Sequence, residues 1–134
     1  MTRKLTSVLV DTSVWIDHFR SFDVHLGELL SERRAWMHTG IVGELACGNL
    51  SNRPSTLADL QDLPRVRQAN DAEVLHFIEA KHLMGRGIGY IDMHKLASAR
   101  LSAIPIWTHD KRLAQAAIEL KMSYVSPSAT RRTN

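Results

Sequence analysis

The feature that most constrains this chain is an apolar run that ends abruptly on an acid: Val8-Leu9-Val10 is followed directly by Asp11-Thr12-Ser13. A short, uninterrupted run rich in β-branched residues suits a strand buried on both faces, as in a parallel sheet. Asp, Thr and Ser are the residues that open helices, because their side-chain oxygens accept bonds from free backbone N–H groups. The reading is a buried strand over Leu5 to Val10 feeding a helix, with an acid at the joint. The pattern recurs late in the chain, where Ile104 to Thr108 reads as a strand and Asp110 to Lys121 as a helix. Parallel strands need long crossovers, so strands separated by helices predict an α/β fold: an α/β/α sandwich around a central, mostly parallel sheet.

The intervening sequence fits that plan. Val14, Trp15, Phe19 and Phe22 have helical spacing. A second helix runs from Asp23 through Leu26, Leu29 and Leu30 to Arg33-Arg34, with cations in its last turn where the dipole favours them. Ala35 to Thr39 reads as a strand, and Ile41 opens a helix closed by Gly48-Asn49. Pro54 suits the first turn of a helix ending before Pro64. Asn70 and Glu73 form a capping box ahead of Leu75, Ile78 and Leu83. Gly85-Arg86-Gly87-Ile88-Gly89 reads as a hinge, Asp92 to Ser102 as a helix, and Tyr124-Val125 as an edge strand. The three tryptophans, Met84, Met93, Met122 and Cys47 read as core. One domain is expected over residues 1–126, with a flexible basic tail over 127–134.

Composition narrows the function. Of 134 residues 44% are apolar and 23% charged, which excludes a disordered chain and supports a single core. No apolar run approaches the roughly 18 residues of a membrane span, and the N-terminus lacks a signal-peptide pattern, so a cytoplasmic protein is expected. A lone cysteine, Cys47, excludes an internal disulfide and a cysteine zinc knuckle. The seven histidines show no H-E-x-x-H pattern. A net charge of +3, with Arg65 near Arg67 and a terminal Arg131-Arg132 pair, is compatible with a nucleic-acid partner.

In parallel sheets ligands gather beyond the carboxyl ends of the strands. Asp11 and Asp110 follow strands, Glu44 lies in the first turn of the helix after Ala35 to Thr39, and Asp92 begins the helix after the glycine-rich turn. Taken singly, each Asp is most simply a helix cap and Glu44 a solvated side chain. Together they change the argument, because two carboxylates 4 Å apart repel by about 4 kcal/mol at an effective dielectric near 20. Four such groups require a compensating cation, and an all-oxygen site suits Mg²⁺ or Mn²⁺. The glycine run is neither G-x-G-x-x-G nor a P-loop.

These residues resemble the motifs of PIN-domain ribonucleases, specifically VapC-type toxins. Val8 to Asp17 is similar to the family's first motif and Gly43-Glu44-Leu45 to its second. Gly89-Tyr90-Ile91-Asp92-Met93-His94 is similar to the third, and Trp107-Thr108-His109-Asp110-Lys111-Arg112-Leu113 to the fourth. The resemblance implies that Asp11, Glu44, Asp92 and Asp110 are catalytic, metal-binding acids using Mg²⁺, with Mn²⁺ able to substitute. It implies hydrolysis of RNA, tRNA or another structured RNA, to a 3′-hydroxyl and a 5′-phosphate. Thr12, Ser13, Thr108, Lys111 and Arg112 are the expected substrate-binding residues, and Arg20 a further phosphate contact. A homodimer and a VapB-type antitoxin, whose cation would approach the acids, are the expected partners. His109 and Lys95 depart from the family pattern, and neither is expected to touch an acid. A PIN-like RNA-binding domain without catalysis is one alternative. A haloacid-dehalogenase-like phosphatase is another, although Ser13 stands where that chemistry needs a second Asp.

Overall fold

The computed structural model describes residues 5–127. The first strand, β1 (Val8–Val10), is the centre of a three-stranded parallel sheet in the order β2-β1-β3. On one side Val8 and Leu9 pair with Ala35 and Trp36 of β2 (Ala35–Trp36); on the other, Leu9 and Val10 pair with Ile106 and Trp107 of β3 (Ile106–Trp107). All three β1 residues are fully buried, as an uninterrupted apolar run requires in a sheet covered on both faces. The Asp11 N–H donates to the Trp107 carbonyl, so the strand pairing continues to the acid itself.

Among the described residues seven helices cover the sheet: α1 (Thr12–Arg20), α2 (Val24–Ser31), α3 (Thr39–Ala46), α4 (Arg53–Gln61), α5 (Asp71–Ala80), α6 (Tyr90–Leu101) and α7 (Lys111–Glu119). Helix α3 packs against α1, α4 and α6, and α5 packs against α6. Leu9, Leu26, Leu29, Met37, Ile41, Leu96, Ile106 and Leu113 form the centre of the core. Two sequence devices behave as read: the capping box at Asn70 and Glu73 is complete, and Pro54 sits in the first turn of α4.

Other expectations are corrected. The strands are shorter than the apolar runs, with Leu5 half exposed, and Thr39 already belongs to α3. Tyr124-Val125 is not a strand; a single parallel bridge joins Ile106 to Ser123. Helix α2 stops at Ser31 because Arg33 adopts a left-handed φ of 54°, so Arg33-Arg34 lie beyond its last turn. The Arg34 guanidinium instead bonds the Thr6 carbonyl and Glu32. In α5 the phase set by the Asn70 cap turns Val74 and Phe77 inward and leaves Leu75 exposed. Phe19, Phe22, Met84 and Cys47 are exposed as well. The expected tail, apart from Pro127, lies outside the described residues.

Candidate active site

The two strand-end aspartates read alike in sequence and do different things. Asp110 is an ordinary N-cap, its carboxylate accepting the Leu113 N–H at 2.9 Å. Asp11 precedes α1 without capping it, and its carboxylate turns inward instead. Asp11 Oδ2 accepts the hydroxyls of Ser13 at 2.8 Å and Thr108 at 2.7 Å, while Oδ1 accepts Lys95 Nζ at 2.8 Å.

Lys95 is the residue that organises the cluster. It lies on α6, almost wholly buried, one helical turn after Asp92. Its ammonium donates to Asp11 Oδ1 at 2.8 Å, Glu44 Oε1 at 2.7 Å and Asp92 Oδ1 at 3.0 Å. An ammonium has three N–H donors, and three carboxylates from separate elements use them. Glu44 belongs to the second turn of α3, and its Oε1 also accepts the Thr12 hydroxyl at 2.6 Å. The expectation that Lys95 touches no acid is therefore wrong. The cation that offsets the carboxylates here is supplied by the chain itself.

Hydroxyls fix the orientation of these acids. The His109 N–H donates to Ser13 Oγ at 2.9 Å and the Asp110 N–H to Thr108 Oγ1 at 3.1 Å; both hydroxyls then donate to Asp11 Oδ2. Thr12 does the same for Glu44. Thr12, Ser13 and Thr108, expected to bind substrate, thus have their hydroxyls committed to holding acids in place. Asp110 joins the cluster only through Thr108, with no direct bond to Lys95 or to another acid among the described residues. Of the expected basic contacts, Lys111 opens α7, exposed, and Arg112 lies against the glycine-rich turn, bonding the Gly87 carbonyl. His109 bonds Asp17 at 2.5 Å, and His94 bonds Asp71 beside Tyr90.

Electrostatics separates the acids. Burial alone would raise the Asp11 carboxyl, but the Lys95 charge and bond, with Thr108 and Ser13, bring it below its ordinary 3.8. For Asp92 burial prevails over Lys95, and the carboxyl sits above that value. Burial would strip the proton from Lys95, yet its carboxylate neighbours raise its pKa, so the ammonium is firmly charged.

His38 escaped the sequence reading. It precedes α3, where its Nδ1 accepts the Gly40 N–H at 2.8 Å, so the ring proton sits on Nε2, which is buried and without a partner among the described residues. A Cβ on Gly40 would meet the Ile91 side chain at 2.9 Å and His38 Nδ1 at 3.1 Å, so a larger residue there would displace one of them. Burial, then neighbouring His94, Lys95 and Arg65, against an opposing Glu44, push the His38 pKa down to about 4. The folded state therefore refuses a proton that the unfolded chain takes below 6.5. Stability should fall as pH drops from 6.5 toward 4, by at most about 3 kcal/mol, and this group adds nothing further below. His38→Asn keeps a capping oxygen and cannot titrate, so urea denaturation across that range should show a flatter profile. An unchanged slope in the variant would remove His38 as the cause.

The donor set suits a hard divalent cation in kind, because every polar donor in it is oxygen. Glu44 and Asp92 each keep a second carboxylate oxygen without a protein partner among the described residues. The place between Asp11, Glu44 and Asp92 is taken by Lys95 Nζ, and no three His, Cys, Asp or Glu side chains among the described residues are set around a common metal position.

Acids carried to the carboxyl edge of a short parallel sheet, with helices on both faces, define a known class. The PIN domain family model matches residues 8–119, from β1 through α7, and the chain belongs to the PIN-domain family, among its VapC-type members. It is similar to Ribonuclease VapC32 of Mycobacterium tuberculosis strain CDC 1551 / Oshkosh, 40% identical over 113 residues that cover 84% of this chain and 91% of that protein. Ribonuclease VapC32 of strain ATCC 25618 / H37Rv matches with the same figures.

Proposed function

We propose that this chain is a toxin endoribonuclease of the VapC type, hydrolysing phosphodiester bonds in RNA with Mg²⁺, which Mn²⁺ can replace. The observation that carries the reading is the meeting of Asp11, Glu44 and Asp92, from β1, α3 and α6, at the carboxyl edge of the sheet. The free oxygens of Glu44 and Asp92, with Asp110 beyond Thr108, are the groups that would hold the ion. Held there, a divalent ion would supply a water of lowered pKa and charge relief for the phosphate. The chain's own contribution is to keep the acids ionised and aimed. Asp11 is pinned by Ser13, Thr108 and Lys95, and Glu44 by Thr12 and Lys95. Asp92, whose carboxyl burial holds above its ordinary value, keeps its second oxygen for the ion while its first accepts Lys95. The Lys95 ammonium lowers the repulsion that a polyanionic RNA meets on entering an acidic site.

The partner in this reading is a VapB-type antitoxin. A groove of about 540 Å³ between α1, α3 and α4 is lined by Ile16, Phe19, Arg20 and Leu45 and reaches Glu44. Half-exposed Ile16 and Phe19 give an apolar helix a place to dock, with its end directed at the acids. A homodimer belongs to the same proposal, as does tRNA or another structured RNA as substrate.

Expression of the chain alone should arrest bacterial growth, and the cognate antitoxin should restore it. The purified protein should cut RNA with Mg²⁺ and not with EDTA, and sequencing the new 5′ ends identifies the target. Arrest that persists with Asp92→Asn at equal expression would sink the reading. The rival is a PIN domain that binds RNA without cutting it, and the position of Lys95 among the acids is the observation on its side. RNA binding unaffected by EDTA, with no cleavage, would select that rival.

A further inference from the structure

We propose that Arg65 and Arg67 form a phosphate-binding ledge that seats the RNA strand beside the acids. The inference rests on the nuclease reading of the site and goes beyond it to where the strand is held. Position is the first argument. Arg65 forms a parallel bridge with Met37, the residue just past β2, and the Val66 N–H donates to the Met37 carbonyl at 3.0 Å. The segment therefore extends the sheet outside β2 and runs toward the carboxyl edge, where Asp11 follows β1. Neighbouring strands lie about 4.8 Å apart, so Arg65 stands roughly 10 Å across from the end of β1. That is about one Debye length at 0.1 M salt. The acids are too far away to capture the guanidinium, yet a strand lying in the site brings its next phosphates within reach.

The second argument is what holds this segment and what does not. The Met37 N–H donates to the Pro64 carbonyl at 2.8 Å, the Arg67 N–H to Ser102 Oγ at 2.8 Å and the Ala69 N–H to Ser98 Oγ at 2.9 Å. Gln68 Oε1 accepts the Thr39 N–H at 2.8 Å, and Val66 and Ala69 are buried. The backbone is thus fixed to β2, α3 and α6. Both arginine side chains are exposed, without a hydrogen bond or ion pair among the described residues. By contrast Arg34, Arg53, Arg86, Arg100 and Arg112 all donate to protein carbonyls or carboxylates.

Chemistry is the third. Along a chain that pairs like a strand, two residues span up to about 6.6 Å, close to the step between successive phosphates of a single strand. Buried Val66 between them leaves Arg65 and Arg67 on the outer side together. A guanidinium offers paired N–H groups that match two phosphate oxygens. Such contacts fix the register of a strand without reading its sequence. RNA is the polyanion that the reaction brings to this edge. Lys95 is the one cation bonded to Asp11, Glu44 and Asp92 among the described residues, so attraction for the strand has to come from outside the cluster.

The test is binding of a short fluorescein-labelled oligouridylate to the purified full-length chain in EDTA, followed by fluorescence anisotropy as KCl is raised. Each phosphate contact removed from a single strand lowers the slope of log affinity against log salt by about 0.7. Arg65→Gln and Arg67→Gln should each lose about that much, and the double variant about 1.4. Each deficit should shrink about fivefold over a tenfold rise in salt, the same slope expressed as a ratio. Arg65→Lys and Arg67→Lys keep the charge and should keep the wild-type slope. Arg33→Gln removes an exposed arginine before β2, at the opposite end of that strand, and should leave the slope unchanged. Urea denaturation with matching midpoints checks that the variants are folded. An unchanged slope in both Gln variants, an equal drop in Arg33→Gln, or no RNA binding by wild type would overturn the proposal. Loss of antitoxin rescue in the Gln variants, with the RNA slope intact, would give the ledge to the protein partner and overturn it too. RNA cleavage with Mg²⁺ or EDTA is scored separately. Metal-dependent cleavage with an unchanged slope overturns this inference and leaves the nuclease reading; a lowered slope without wild-type cleavage does the reverse.

Discussion

Replacing Asp92 by Asn should reduce RNA cleavage at least about a hundredfold, the scale on which losing one preorganised electrostatic group acts. The same change should move the unfolding free energy by less than about 1 kcal/mol. The two effects separate because burial already holds the Asp92 carboxyl above its ordinary pKa. Such a group is more costly to ionise in the folded chain than in the unfolded one, so a neutral amide gives up little stability at neutral pH. Its Oδ1 can still accept the Lys95 bond. Cleavage rates beside urea denaturation measure both quantities. A folded Asp92→Asn protein cleaving within threefold of wild type would remove Asp92 from the site.

Asp11→Ala should behave differently, losing activity and also about 3 to 5 kcal/mol of stability, the cost of taking one partner from a buried ion pair. From sequence alone this substitution is expected to leave the fold intact. The structure argues otherwise. Asp11 accepts Lys95, Ser13 and Thr108 together, and its removal leaves two hydroxyls and one N–H of a buried ammonium without their acceptor. Asp11→Asn keeps some of those bonds and should fall between wild type and Ala. A loss under about 1 kcal/mol in Asp11→Ala by urea denaturation would show that the remaining acids and water satisfy the cluster. Asp92→Asn is therefore the cleaner probe of chemistry, and Asp11→Ala the probe of assembly.

The sequence disclosed the sheet through uninterrupted apolar runs and the acids through their places after strands and at helix starts. Those signals are local, and they survive tertiary packing. It did not distinguish Asp11 from Asp110. The difference is whether a hydroxyl from a distant strand end captures the carboxylate before the helix can, and Thr108 does so for Asp11. Lys95 was legible in part: a cation one turn after Asp92 is a helical ion-pair spacing. That its ammonium also reaches Asp11, after β1, and Glu44, on α3, depends on how those elements pack against α6, which leaves no pattern in a linear reading. The strand lengths were overstated because apolar residues continue past the last ladder bond wherever a helix covers them. In α5 the apolar spacing alone admits Leu75 on the inner face, whereas the Asn70 cap sets the phase that buries Val74 and Phe77.

The bond between Thr108 and Asp11 spans 97 positions of the chain. A ribosome therefore makes Thr108 well after Asp11. At about 5 to 20 residues per second, that separation amounts to roughly 5 to 20 seconds of synthesis. During that interval Asp11 lacks the Thr108 hydroxyl that helps fix its orientation. The arrangement of Asp11 with Thr108 and Lys95 is thus complete only once the chain has been made past β3.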